Sequence, residues 1–277
     1  MSVVAMLQGT AETDRQTTLA ALALAKRMNV PVTGLCALPD PSAAMMVIAT
    51  PEASGMTVQS TQGIIEMQEE VLKISREAFE ESCGTGAHGL DCQYVHDVNT
   101  VERSASNAAT LAEAVVFPRS AAKAGEPLNL SFEHVLMDAN LPVVLAGTGE
   151  AGTGPVIIAW DGSNGAARAV RFHLPLIRAI GEVIIAQNEK DVHKDQQRDV
   201  AAPNALHDWL SQHRISSQVM EIEGEVASGL LAMAKGSGAS MIVAGAYGHS
   251  RLAERIFGGT TRRLLAADEA PALALAH

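Results

Sequence analysis

The chain has 277 residues, an apolar fraction of 47% and a formal net charge of -11, enough length and hydrophobic mass for one large or two ordinary globular domains. That charge repels a polyanionic backbone, and an aromatic content of 3% leaves few stacking platforms, so nucleic acid is excluded as the expected partner. Three cysteines without C-x-x-C spacing suggest neither a disulfide framework nor a zinc knuckle, and no apolar run approaches bilayer length.

In chain order, Val3 to Leu7 is a short apolar run ending at Gln8-Gly9-Thr10, followed by a helical pattern over Thr17 to Met28 and a second apolar run, Val32 to Leu38. Residues Pro39 to Gln62, rich in Ala, Met, Ser, Thr and Pro, show no period and are expected to form a mobile loop before Ile64 to Phe79 resumes a helix. Val115 to Phe117 and Leu141 to Leu145 complete the first set of apolar runs. The second set repeats it: Val156 to Trp160, a helix over Ala166 to Ile180, Val183 to Ala186, Ile242 to Ala244 and Ala270 to Ala274. Gln8 aligns with Asp161 and Pro142 with Pro271, so the chain is a tandem repeat whose first copy carries the longer insertion.

Strands alternating with helices imply right-handed βαβ units. Each copy is expected to be an α/β, Rossmann-like, doubly wound domain with a five-stranded parallel sheet in the order 3-2-1-4-5, the domains covering 1–147 and 154–277. Gly147 to Gly154 spells G-x-G-x-x-G after a strand, but Pro155 to Trp160 reads as another strand where that fingerprint needs a helix, so the segment is expected to be a linker. The final strand, Pro271 to Ala276, would be an exposed edge in a lone copy, and Pro142 to Ala146 is its expected partner in a pseudo-twofold pairing of the domains.

In such a sheet the ligand crevice lies where strand order reverses, at the carboxyl ends of strands one and four. In the second copy these ends carry Asp161-Gly162-Ser163 and Gly245-Ala246-Tyr247-Gly248, the latter leading to Gly258-Gly259-Thr260-Thr261 at an expected helix start. Glycines there let backbone N–H groups approach an anion, and a helix N-terminus adds its dipole. Asp161 suits a base amino group, a ribose hydroxyl, a metal or an Asx turn opening the next helix. One or two of Arg251, Arg255, Arg262 and Arg263 would reach phosphate or pair with neighbours such as Glu254. In the first copy Gln8, Pro118 and Asn129 replace Asp161, Gly245 and Gly258, and Pro118 has no N–H to offer.

Gly245-x2-Gly248-x9-Gly258, after an apolar strand and before a helix and a Pro-initiated strand, resembles the ATP-binding signature of the universal stress protein family, as Asp161-Gly162-Ser163 resembles the end of that family's first strand. The resemblance implies a cytoplasmic stress-response protein that binds ATP or a related adenine nucleotide, with Mg2+ sharing the phosphate charge. It places Asp161 at the base, Gly245 and Gly248 near ribose and phosphate, and Gly258 at phosphate. The full contact set it implies is Asp161, Gly162, Ser163, Ala186, Gly245, Ala246, Tyr247, Gly248, Gly258, Gly259, Thr260 and Thr261. The chain departs from the signature at Gly259, where the family has Ser or Thr, and throughout the first copy, so one nucleotide site is expected, in the second copy. No catalytic residue is assigned, and binding with at most slow ATP hydrolysis is expected. Besides the intramolecular domain pair, a homodimer is a further expectation. The alternatives are a regulatory or interaction module of the same fold without nucleotide, and a small-molecule hydrolase using the same crevice.

Overall fold

The computed structural model describes residues 2–41, 57–87, 89–147, 153–188, 202–246, 259–267 and 270–277. The chain divides into two compact units, Met1–Val135 and Leu136–His277. In the first, β1 (Val3–Leu7), α1 (Ala11–Met28), β2 (Val32–Leu38), α2 (Thr57–Gly86), β3 (Cys92–Val98), α3 (Val101–Thr110) and β4 (Ala114–Phe117) are followed by a short 3-10 turn (Arg119–Ala122) and α4 (Asn129–Glu133). Its strands lie in the order β3-β2-β1-β4, all parallel.

The second unit contains β5 (Val143–Leu145), β6 (Val156–Ala159), α5 (Asn164–Phe172), α6 (Leu174–Ile180), β7 (Glu182–Gln187), α7 (Pro203–Gln212), β8 (Ser216–Glu221), α8 (Val226–Ser237), β9 (Met241–Gly245), α9 (Gly259–Ala266) and β10 (Ala272–Ala276). The sheet runs β5-β10-β9-β6-β7-β8, parallel except for β5. From β8 to β10 this is the expected 3-2-1-4-5 arrangement. β5, which the repeat assigns to the first copy, stands in the second unit and runs antiparallel to β10, with Leu273 opposite Leu145 and Leu275 opposite Val143. The β10 edge is thereby covered.

Both α/β units owe their sheets to the apolar runs. Every residue of β1 is buried, as are Val156, Ile157 and Ile158 of β6, because helices cover both faces of a parallel sheet and leave no wet face to alternate with. Helix α1 carries Glu12 and Asp14 in its first turn and Lys26 and Arg27 in its last, matching the helix dipole, and stops at Asn29 in the left-handed region, φ 53°. Gly154 does not open a helix: β6 follows it, and a Cβ there would lie 2.6 Å from the carbonyl oxygens of Ser237 and Gly238, so the glycine serves the packing of α8 against the start of β6.

Two expectations need correction. Residues 57–62 are not loop but the start of α2, a helix that runs unbroken to Gly86. Its amino-terminal half packs little, with Ile65 and Met67 exposed, so no buried stripe imposes a period on that stretch. Residues 42–56 of the insertion lie outside the described part. The helix expected over Ala166 to Ile180 is two helices, broken at His173. Pro175 in the first turn of α6 has no N–H for the α5 ladder, and His173 turns out of helical geometry at φ -92°, ψ 11°.

Candidate functional site

In the second unit β6 and β9 are parallel neighbours, with Val156 opposite Met241 and Ile158 opposite Val243, so the loops after them leave side by side at the switch point of the sheet. On the β6 side, Asp161 is exposed and its Oδ1 accepts the Ser163 N–H at 2.9 Å, an Asx turn that Gly162 completes at φ 75°. Ser163 is the N-cap of α5, and its Oγ accepts the Ala166 N–H at 3.2 Å. The local roles of both side chains are therefore structural, with the second carboxylate oxygen of Asp161 and the hydroxyl proton of Ser163 outside these two bonds. Ala186, at the end of β7, is buried and its carbonyl accepts the Trp160 N–H at 2.9 Å.

On the β9 side, a Cβ on Gly245 would lie 2.9 Å from the carbonyl carbon of Gly165 and 3.0 Å from the Ala166 nitrogen. The end of β9 is pressed against the first turn of α5, and this position takes glycine on packing grounds alone. The Ala246 N–H donates to the Ala276 carbonyl at 2.8 Å, which commits it to the β10 end rather than to an anion. Tyr247, Gly248 and Gly258, together with Arg251 and Arg255, lie outside the described residues.

Gly259 opens α9, and among the described residues no heavy atom comes within 4 Å of the Cβ it lacks. The first N–H groups of α9 have no intrahelical acceptor, and the dipole places positive potential at this end. Thr261 turns into the protein and is buried, whereas Thr260 is half-buried. Arg263 meets Glu225 of the loop before α8 at 2.7 Å, and Glu254 lies outside the described residues. Glu225 also accepts the N–H groups of Ala227 and Ser228 and the Ser228 hydroxyl at 3.1, 2.9 and 2.6 Å, and these contacts, the Ser228 bonds foremost, hold its carboxyl down at about 2. A glutamate cap is unusual, and Gly224-Glu225 before a helical run was the sequence signal available. Asn188, another residue the sequence reading missed, ties the β7 end to the same loop through Nδ2 to the Gly224 carbonyl at 3.0 Å.

The corresponding loop of the first unit is bound to a side chain of the chain itself. There the Gln8 and Gly9 N–H groups donate to the two carboxylate oxygens of Asp14, at 2.9 and 2.8 Å. Asp14 is fully buried, and burial pushes its carboxyl above the ordinary carboxylate range against the opposing N–H groups of Gln8, Gly9 and Thr10. The chain supplies its own anion to this loop. In the second unit Ala167 stands at the position of Asp14 and brings no carboxylate. Replacing Asp14 by Ala orphans two N–H groups and is expected to cost the first unit about 3 kcal/mol, read as faster hydrogen exchange at β1 and α1 amides. Unchanged exchange would show that water satisfies both.

Residues 153–274 match the family model described as Universal stress protein family. Among solved structures, the chain is similar to a universal stress protein from Archaeoglobus fulgidus DSM 4304, at 15% identity over 99% of this chain and 97% of that one, with a TM-score of 0.61. It is also similar to a protein assigned to the same family from Pseudomonas aeruginosa UCBPP-PA14, at 13% identity over 99% and 92% of the two chains, with a TM-score of 0.48. No curated protein matches. The Archaeoglobus likeness concerns the fold, and it spans both units. The family likeness by sequence therefore rests on residues 153–274, which lie within the second unit.

Proposed function

We propose that the second unit binds ATP or a related adenine nucleotide at the carboxyl ends of β6 and β9, with the phosphates toward the start of α9 and a divalent ion sharing their charge. The observation that carries this reading is the contrast between the two units: the β1 loop is closed by the buried carboxylate of Asp14, whereas the β6 loop has Ala167 there, and α9 of the same unit opens on Gly259, with no described atom near the Cβ it lacks. The residues fit an anionic group. Gly259 allows close approach, and the α9 N–H groups supply donors from which no side chain among the described residues accepts. Asp161 is suited to a base or ribose donor through the oxygen not committed to Ser163.

The role is binding rather than turnover. What the described ends of the loops offer is backbone N–H groups, a helix end and a carboxylate held in a turn, which suit holding an anion. A regulatory module without nucleotide is the second reading, favoured by Gly245, whose packing against α5 accounts for that glycine with no ligand.

Gly259→Asp separates the two. A carboxylate at the start of α9 favours the helix through its dipole, so the fold is expected to hold. Set roughly 5 Å from a phosphate, the same charge is expected to weaken Mg-ATP binding about a hundredfold. Calorimetric titration of both proteins checks this, and equal affinities would remove the phosphate from α9.

A further inference from the structure

Cys83 stands in the last turns of α2, and Cys92 is the first residue of β3. The Ala87 N–H donates to the Cys83 carbonyl and the Leu90 N–H to the Ala87 carbonyl, each at 3.0 Å, and these bonds turn the chain back beneath the helix end. β3 then enters the sheet with Cys92 opposite Val32, on the edge away from β1. Helix α2 packs on β3 through Ser75 Oγ and Tyr94 Oη, 2.6 Å apart, and the Phe79 and Tyr94 rings, 6.1 Å between centroids. Cys83 lies one turn beyond Phe79 and Cys92 two residues before Tyr94, so both stand on these facing sides, near enough for each sulfur to act on the other. Neither is fully buried. Cys36 is different: it is buried within β2, where the strand register sets it opposite His96, four residues along β3 from Cys92.

From this placement we infer that Cys83 and Cys92 form a reversible intrachain disulfide when the protein meets a hydroperoxide, making the α2–β3 junction a redox-modification site. The pair needs no rearrangement of secondary structure, because its members flank one hydrogen-bonded turn and stand on the facing sides of α2 and β3. Burial, and then the neighbouring Cys92 sulfur, push the Cys83 thiol upward, which makes Cys83 the poorer first nucleophile and the resolving one. The Cys92 thiolate attacks one peroxide oxygen and the O–O bond breaks. The other oxygen leaves with a proton as water or alcohol, and Cys92 becomes a sulfenic acid. The Cys83 sulfur then attacks the Cys92 sulfur, the S–O bond breaks, and hydroxide leaves with the Cys83 proton as water. Two thiols have lost two electrons and two protons, and the hydroperoxide has taken them up.

The native full-length chain, treated with hydrogen peroxide, alkylated with iodoacetamide and digested with trypsin, tests this. No Lys or Arg lies between Arg76 and Arg103, so both cysteines remain in one peptide, residues 77–103. That peptide is expected to lose two hydrogens and accept no alkyl group, and a thiol reductant is expected to restore both sites, while Cys36 is not drawn into the bridge. In Cys83→Ser, Cys92 is expected to stop at the sulfenic acid and be trapped by dimedone. Uptake of two alkyl groups by the oxidised wild-type peptide would overturn the inference, as would oxygen accumulating on either sulfur in place of the bridge or a bridge that includes Cys36.

Discussion

Acidification from pH 7 to pH 4 is expected to cost the second unit roughly 3 kcal/mol through His173 alone, since a pKa displacement converts at about 1.4 kcal/mol per unit. His173 lies at the break between α5 and α6, only 2% exposed, and its Nε2–H donates to the Leu275 carbonyl of β10 at 3.1 Å. Burial depresses its pKa from 6.5 to about 4, against the small opposing pull of that carbonyl. Between those two values the unfolded chain binds a proton that the folded unit refuses. The contribution is therefore whole above pH 6.5, shrinks as the pH falls, and is gone near pH 4. Both tryptophans, Trp160 and Trp209, belong to the second unit, so urea denaturation followed by tryptophan fluorescence reports that unit. His173→Gln keeps an N–H donor and removes the titration. The stability difference between wild type and variant is expected to fall steadily from pH 7 to pH 4. Parallel pH profiles would mean that the imidazole protonates in place.

Gly245→Val is expected to destabilise the second unit by about 3 kcal/mol, the upper part of the range for overpacking against atoms that cannot yield. The Cβ alone would press into the backbone of Gly165 and Ala166, and Val adds two methyl groups beyond it. Relief requires the first turn of α5 to move, and with it the Ser163 cap and the Asp161 turn. The measurement is the tryptophan-detected urea midpoint, and an unchanged midpoint would show that α5 shifts freely. A loss of nucleotide binding in this variant would not identify a ligand contact, because fold and site fail together. Gly259, with no described atom within 4 Å of where its Cβ would be, is the position at which the proposed site is tested apart from the fold.

The two-copy α/β architecture was legible because strands buried on both faces become continuous apolar runs, and Val3 to Leu7 and Val156 to Trp160 align without a gap. The Pro142–Ala146 segment was legible as the partner of the last strand from the same pattern, and β5 lies there against β10. Other features were written in tertiary distances that no period encodes. Pro118 in the first copy suggested that the fold tolerates a Cβ at the end of strand four, yet Gly245 sits against a helix backbone. Pro175 was visible inside the Ala166 to Ile180 pattern, and its missing N–H should have divided that helix. Asp14 was readable only as a first-turn acid suited to a helix dipole. Its burial and its hold on the Gln8 and Gly9 N–H groups depend on how α1 returns across the end of β1.

Nucleotide binding in the second unit is tested most directly by melting the full-length chain, followed by tryptophan fluorescence, across a series of Mg-ATP concentrations. A ligand that binds the folded unit and not the unfolded chain must raise its transition, and the rise grows with the logarithm of concentration above the dissociation constant. The expected result is such a rise, saturating in no plateau of its own and much reduced in Gly259→Asp. A transition that stays in place at millimolar Mg-ATP would contradict it and leave the β6 and β9 loops as a protein-facing module.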